Sequence, residues 1–454
     1  MSFLSLTPAD REAMLERIGV ATVEELFRDI PEAVRLRRPL DLEPALTEAE
    51  LARHLEELAG RNAAAGAGPG GRLSFLGYGV YDHYSPAVVD VLLTRGEFLT
   101  AYTPYQPEMS QGVLQAIFEY QTAICELTGM DVSNASGYDG TTVAADACFL
   151  AKAHTGRDKV VLAATLHPMV RQVVETFAAG FGMEVATVPA AGGVVDGTAW
   201  AAACEGAACA IFQTPNVFGA LEDGPTLAAA ANKAGALPVA HVDLLSLGVL
   251  EAPGAYGCAM AIGEGQSAGI PMSFGGPHFG FMAARADLVR RMPGRIVGET
   301  VDAEGKRGFV LTLQTREQHI RREKATSNMT TNQTLIALAG WLTLCWYGPQ
   351  GLRELGQLLL SLTAHAAARV AEVAGFEPAF PGTTPFKEIA LRVPGGPGAA
   401  EVTAQRARAA GVDAGVPLGR DFPELSDVLL VALTEKRTPA DIERLAAVLK
   451  EAVA

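Results

Sequence analysis

Between Lys159 and Ala284 the chain switches repeatedly between short, nearly continuous apolar runs and longer amphipathic stretches. No other feature limits the possible folds so strongly. The runs Lys159–Ala163, Glu184–Val188, 209–212 and Leu237–Val242 read as strands, and 169–179 and 226–234 fit helices between them. A sheet with one wet face would alternate apolar and polar positions. These runs are apolar throughout, which predicts a mostly parallel sheet with helices on both faces. Two further apolar runs, 258–262 and 279–283, flank a glycine-rich loop. Ligands of open α/β sheets bind at the carboxyl ends of the strands, so candidate chemistry is sought there.

The flanking regions differ from this core. Thr7, Thr22 and Thr47 each stand three residues before an acid and ahead of an amphipathic run, the pattern of a helix-starting cap. The segment 62–71, rich in alanine and glycine, reads as a flexible connector. Further on, Gly348-Pro349 breaks a helix, and the tail from Gln350 reads helix, strand, helix, strand, helix. The expected organisation is a helical amino-terminal arm over 1–70, a large α/β domain over 71–345 and a small α+β domain over 346–454. For the arm two readings stand: a clasp on a partner chain, or a helix pair lying on the surface.

Composition removes several function classes. A net charge of -15 argues against a nucleic-acid surface, and no apolar run is long enough to span a bilayer. The first ten residues lack a basic segment followed by an apolar core, so no export signal is expected. Six cysteines at 125, 148, 204, 209, 258 and 345 form no CxxC pair. Reduced, buried thiols in cytosol are expected, with neither disulfides nor a metal.

Three positions at strand ends suggest a ligand pocket. Asp243 closes the run Leu237–Val242, His167 follows the strand at Lys159–Ala163, and Gly140 with Thr141 opens a helix over 143–153. A glycine and hydroxyls at a helix amino terminus can hold a phosphate through backbone N–H groups. Each has a plainer reading, as a helix cap or a packed ring. A fourth position is Gln266, in Gly263-Glu-Gly-Gln266-Ser-Ala-Gly.

The runs Tyr102–Gly112, Phe118–Gln121, Leu127–Asp131, Ser133–Thr141 and Gln314–Asn328, with the Gln266 loop, span most of the chain. In these runs it resembles the P-protein (glycine decarboxylase) family of the glycine cleavage system, in the half that many bacteria make as a separate alpha chain. The resemblance implies a fold of the pyridoxal-phosphate (PLP)-dependent transferase class, aspartate-aminotransferase type. It also implies a reaction in which glycine loses its carboxylate as carbon dioxide and its aminomethyl group passes to a lipoyl carrier protein. In that family Asp243 is the candidate partner of the cofactor's pyridine nitrogen, and the Schiff-base lysine belongs to the homologous beta chain, at the position held here by Gln266. An amide forms no imine. Gly140, Thr141, His167, Asp243 and Gln266 are thus expected to outline a vestigial pocket, with PLP on the beta subunit of an alpha2-beta2 assembly in the cytoplasm.

Eight lysines remain, at 152, 159, 233, 306, 324, 387, 436 and 450. Lys306 lies in an expected hairpin turn and Lys324 in a charged segment far from Asp243, so neither has a strand-end setting. The expected contribution to catalysis is therefore at a shared surface. The candidates are Tyr102, Thr103, Pro104, Tyr105, Gln106 and Glu108, a proline-stiffened loop, with Asn134 and Ser136 beside it. Arg316, His319, Arg322 and Lys324 form a basic segment that could meet the carrier, pair across a subunit boundary or face solvent. Two other function classes remain: an autonomous PLP enzyme using an unexpected lysine such as Lys324, and a structural or regulatory subunit adding nothing to its partner's pocket.

Overall fold

The computed structural model describes residues 5–66, 71–372 and 375–454. Residues 67–70 of the expected connector and the first four of the amino-terminal reading lie outside these. The chain divides into two units, Met1–Ala63 and Ala64–Ala454.

In the first unit, α1 (Pro8–Ile18) and α2 (Glu48–Ala59) both begin with the reciprocal cap expected of them. The Asp10 N–H donates to Thr7 Oγ1 at 3.2 Å while the Thr7 N–H donates to Asp10 Oδ2 at 2.8 Å. Thr22 behaves differently, opening only a 3₁₀ stretch, Val23–Phe27, with no side-chain cap. Pro31 lies nine residues after Thr22 and keeps Ile30 out of the α region, which bounds any helix there to the residues before it. Neither α-helix has a buried residue, and Leu51, Leu55 and Leu58 of α2 are exposed.

The second unit contains a seven-stranded sheet. Its strands are β1 (Val132–Ser133), β2 (Lys159–Ala163), β3 (Glu184–Val188), β4 (Ala207–Thr214), β5 (Leu237–Val242), β6 (Met260–Glu264) and β7 (Gly280–Ala284). Their order across the sheet is β1-β7-β6-β5-β4-β2-β3. The pairs from β3 through to β6 are parallel, and β7 runs antiparallel to both neighbours. All six expected strands are present, with 209–212 extended and the two flanking the glycine-rich loop displaced by one or two residues. Every residue of β5 is buried, which is why its sequence shows no alternation. Connecting helices are α3 (Gln111–Thr128), α4 (Gly140–Thr155), α5 (Pro168–Gly180), α6 (Gly197–Cys204) and α7 (Gly224–Lys233). Ala144, Ala145, Ala147 and Ala151 keep α4 slim where it is buried.

A hairpin follows, β8 (Ile296–Val301) with β9 (Arg307–Thr312), and Lys306 sits in its turn as expected. The long helix α8 (Thr334–Ala371) is interrupted at Gly348, whose φ of 61° and ψ of -180° are not helical. The carboxy-terminal part forms a four-stranded antiparallel sheet from β10 (Glu377–Pro378), β11 (Glu388–Arg392), β12 (Val416–Pro417) and β13 (Val428–Ala432), in the order β10-β11-β13-β12. Helices α9 (Ala399–Ala409) and α10 (Pro439–Val453) pack on it, with Ile389, Leu391, Leu429 and Val431 buried against Ile442, Leu445 and Leu449. The fold is α/β of the PLP-dependent transferase class, with a mostly parallel central sheet.

Two details place the site. Phe75 is tied into the carboxy-terminal part, its N–H donating to Asp413 O at 2.8 Å and its carbonyl accepting from Ala432 N at 2.9 Å. From there the chain, residues 77 to 84, passes over the carboxyl ends of the central strands.

Candidate functional site at the carboxyl ends of the central strands

Asp243 follows β5 directly, and its carboxylate is already engaged. Oδ2 accepts from the ammonium of Lys387, which is 3% exposed. Oδ1 accepts from the Leu245 N–H at 2.8 Å and from Ser267 Oγ at 3.3 Å. Lys387 stands just before β11, 144 residues away in sequence. Its Nζ also lies 3.2 Å from His83 Nε2 and 3.5 Å from the centre of the Tyr81 ring. An ammonium has three donor directions, and here a carboxylate, an imidazole nitrogen and an aromatic face meet them. With Nε2 accepting from Lys387, His83 turns Nδ1 to Glu435 Oε2 at 2.7 Å. Burial would push the Asp243 carboxyl up, but the charge and hydrogen bond of Lys387 outweigh it and hold it low. Glu435 is held low in the same way, burial being outweighed by the His83 hydrogen bond.

The amino terminus of α4 is also filled. The Gly140 N–H donates to Glu264 Oε2 at 2.9 Å, and Glu264 Oε1 accepts from the N–H groups of Gln266 at 3.1 Å and Phe279 at 3.2 Å. A Cβ on Gly140 would stand 2.7 Å from the Glu264 nitrogen, so the helix start is pressed against the end of β6. Thr141 makes no contact of this kind: its N–H and hydroxyl turn back to Asp139 Oδ1 at 2.9 and 2.6 Å. Asp139 is therefore the helix cap. Burial pushes the Glu264 carboxyl up to about 7, against the pull of its N–H donors.

Gln266 is fully buried. Its Oε1 accepts from the Tyr81 N–H at 2.9 Å, while its Nε2 donates to Tyr81 O at 2.9 Å and to Ile270 O at 2.7 Å. One side-chain amide thus pairs with both backbone groups of one residue, as a strand neighbour would. His167 caps α5, Nδ1 accepting from the Met169 N–H at 3.2 Å and Nε2 donating to Tyr78 O at 3.2 Å. Its ring lies 4.5 Å from that of Tyr78, and burial pushes its pKa down, keeping it neutral. Tyr81 OH donates to Glu388 Oε2 at 2.9 Å. The space left among Tyr81, His241, Asp243, Glu264, Ser267 and Lys387 is about 60 Å³. That is room for about two water molecules, against the roughly 300–1,000 Å³ of ordinary ligand pockets.

The loop from Tyr102 to Glu108 has the opposite character. Pro104 is buried and Tyr105 partly so, with its hydroxyl 3.3 Å from Thr334 Oγ1 and the Arg295 guanidinium 4.5 Å above its ring. Thr103, Gln106 and Glu108 are exposed. Tyr102 is 87% exposed and Met109 83%.

Asn134 and Ser136 are wholly buried. Asn134 Nδ2 donates to Pro293 O at 3.2 Å, and Ser136 Oγ donates to Asn332 Oδ1. Arg316 joins the same neighbourhood, donating to the carbonyls of Met292, Gly294 and Leu313. Arg295 completes it through Glu317. Tyr105, Asn134, Ser136 and Arg316 thus meet around the turn 292–295. His319, Arg322 and Lys324 are on the outside, with His319 Nδ1 3.6 Å from Glu317 Oε2.

Sequence reasoning missed Lys387, Glu264, His83, Glu435 and Tyr81. Two left a signal. Glu264 is an acid at the end of an apolar strand, two residues before Gln266. Lys387-Glu388 is a charged pair at the mouth of the apolar run 389–391. Of the cysteines, 148, 204, 209 and 258 are buried, but Cys345 is exposed and Cys125 partly so, which corrects the expectation that all are buried. Among the described residues no group of side chains has the makings of a metal site, and no helix is long and apolar enough to cross a membrane.

Similarity to known proteins follows the same lines. A family model described as glycine cleavage system P-protein matches residues 1–449. The probable glycine dehydrogenase (decarboxylating) subunit 1 of Moorella thermoacetica is 48% identical over 451 residues, 99% of each chain. That of Geobacillus kaustophilus is 48% identical over 97% of each. A crystal structure of glycine decarboxylase (P-protein) of the glycine cleavage system, in inhibitor-bound form, superposes with a TM-score of 0.87 at 44% identity, all of both chains being covered. A cysteine desulfurase from Thermococcus onnurineus NA1, at 14% identity and a TM-score of 0.62 over 84% of this chain and 94% of that one, shares the fold alone. The chain belongs to the glycine cleavage system P-protein family.

Proposed function

We propose that this chain is the non-cofactor half of a two-chain glycine decarboxylase, and that its loop Thr100–Ser110 completes the site of a second, PLP-carrying subunit. Its relatives are named subunit 1 of glycine dehydrogenase (decarboxylating), which calls for a second subunit. In the reaction glycine gives up its carboxylate as carbon dioxide and the aminomethyl group passes to the lipoyl arm of a carrier protein.

The residues of this chain's own pocket do not fit PLP: Asp243 is held by Lys387 and the start of α4 by Glu264. No catalytic step is assigned to that pocket. The observation that carries the proposal is the exposure of Tyr102, in a loop stiffened by Pro104 and Pro107 and anchored by Tyr105. An exposed aromatic held on a fixed backbone is ready to cover a neighbouring site at little entropic cost. In that role Tyr102, Thr103, Gln106 and Glu108 exclude water and orient substrate. Pro104, Tyr105, Asn134, Ser136 and Arg316 set where the loop stands. The exposed cations of Arg322 and Lys324, with the exposed His319 beside them, are available to the acidic face of a carrier. The apolar side chains of α2, exposed in their own unit, suit a clasp on the partner and an alpha2-beta2 assembly.

The autonomous reading has little support, because Lys306 and Lys324 stand away from Asp243 and Lys387 is committed to it. The decisive measurement is glycine-dependent exchange of labelled bicarbonate, with PLP and lipoyl carrier, for this chain, its partner and the mixture. Exchange in the mixture alone is expected, and exchange by this chain alone would sink the proposal. A mixture carrying Tyr102→Ala and Glu108→Ala, assembled yet fully active, would favour a purely structural subunit.

A further inference from the structure

We propose that this chain's pocket is a closed structural joint, in which its own side chains occupy the three polar anchor points of a PLP site, and not a dormant binding site awaiting a lysine. The inference holds whether or not the Thr100–Ser110 loop enters a partner's site.

A pyridine-phosphate aldehyde has three polar handles. Its ring nitrogen needs a carboxylate, its phosphate needs backbone N–H groups at a helix start, and its aldehyde needs an amine. Each handle has a substitute here. The Lys387 ammonium supplies the positive N–H on Asp243. The Glu264 carboxylate takes the Gly140 N–H at the start of α4, together with those of Gln266 and Phe279. Gln266 stands where the amine is expected and spends its amide on Tyr81 and Ile270.

The body of the pocket is filled as well. Tyr78 and Tyr81 cross it, with Tyr78 against His167 and Tyr81 beneath the Lys387 ammonium. The substitutes come from two parts of the chain, Lys387 before β11 and Glu264 with Gln266 at the end of β6. Lys387 and Gln266 converge on the segment 77–84, which Glu388 and Glu435 also hold through the N–H groups of Tyr78 at 2.7 Å and Tyr84 at 2.5 Å. A lone salt bridge would leave the other two anchors open. Here all three are matched in hydrogen-bonding type, and the Asp243 anchor in charge as well, which an eroding site would not achieve.

A lysine restored at position 266 therefore gains no cofactor, because the other anchors and the ring space remain taken. The test uses the full chain and two readouts that do not depend on activity. In the first, wild type and Gln266→Lys are incubated with PLP, reduced with borohydride and mapped by peptide mass. No adduct is expected at position 266 or at Lys387. A stoichiometric adduct at position 266 in Gln266→Lys, or at Lys387 in wild type, overturns the proposal.

In the second, thermal unfolding at pH 8 is followed with and without millimolar inorganic phosphate. Wild type is expected to show no response. Glu264→Ala is expected to unfold about 1–3 °C lower, with phosphate restoring most of the loss by taking the vacated N–H groups. Equal phosphate response in wild type and variant, or none in a folded variant, overturns the substitution of Glu264 for phosphate. If Glu264→Ala does not fold, the wild-type arms of both measurements decide.

Discussion

The pocket at Asp243 and the loop at Tyr102 treat their functional-looking side chains in opposite ways. In the pocket, Asp243 is paired with Lys387, Glu264 is met by three N–H groups and the amide of Gln266 has both its ends paired. In the loop, Tyr102 and Met109 stand in solvent while the buried Pro104 and the Tyr105 ring tie the segment down. A buried polar group is tolerated mainly when satisfied, and in the first region the three anchors are satisfied within one chain, while His241 Nε2 is buried there without a partner. An exposed aromatic on a stiff backbone gains nothing until another surface covers it. The region that looks most like an active site by sequence is thus the one least available for chemistry, and the available one looks like an ordinary turn.

Substitutions should break this contrast in a graded way. The largest effect is expected from Lys387→Met, which strands the Asp243 carboxylate. Loss of one partner of a buried pair costs about 3–5 kcal/mol, read by denaturant unfolding. The double variant Asp243→Asn/Lys387→Met should recover to within about 1–2 kcal/mol of wild type, since neither charge is then buried alone. A Lys387→Met chain as stable as wild type would mean the pair is not a joint.

Gln266→Lys comes next. A lysine cannot accept from the Tyr81 N–H, so one buried donor is orphaned and the expected cost is about 2–3 kcal/mol by the same method. Little or no loss would show that the segment 77–84 is held mainly by Glu388 and Glu435.

The third effect is a pH dependence. Burial raises the Glu264 carboxyl from 4.5 to about 7 in the folded chain. Between those values the unfolded chain has lost this proton while the folded chain keeps it, so stability falls as pH rises and levels off above about 7. Wild type should lose about 2 kcal/mol from this group between pH 5 and 7, and Glu264→Gln should not. Asp243 and Glu435 act in the other direction. Their lowered values contribute stability that is fully present above pH 4.5 and is lost as the pH falls, so the two windows separate. Parallel pH curves for wild type and Glu264→Gln would refute the assignment.

The smallest change in stability is expected from Tyr102→Ala, within about 0.5 kcal/mol for this chain by itself, as for exposed sites generally. Bicarbonate exchange in the assembled enzyme should nevertheless fall about tenfold, or about 1.4 kcal/mol of activation free energy. A stability loss without an activity loss would place Tyr102 with the packed residues and erase the contrast.

The sheet was legible in the sequence because strands buried on both faces need apolar residues at every position, as β5 shows, and the short runs alternate with longer amphipathic stretches. The strand ends then located Asp243, His167 and Gln266. The occupants of the pocket were illegible for a geometric reason. Lys387 reaches Asp243 from the start of β11, 144 residues away in sequence, and no local spacing relates residues so distant. Glu264 stood in plain view within the glycine-rich loop, but an acid at a helix amino terminus looks the same as an acid in solvent until the helix start is brought to it. Thr22 shows the converse limit: the same cap pattern that opens α1 and α2 yields only the 3₁₀ stretch Val23–Phe27, without a side-chain cap.

The pairing of Gln266 with both backbone groups of Tyr81 has a consequence for motion. Residues in a connecting segment ordinarily exchange their amide hydrogens through small local openings. The Tyr81 amide can do so only if the fully buried side chain of Gln266 withdraws. Its exchange should therefore keep pace with β5, making an unlabelled loop proton a reporter of the slowest, most global opening of the fold.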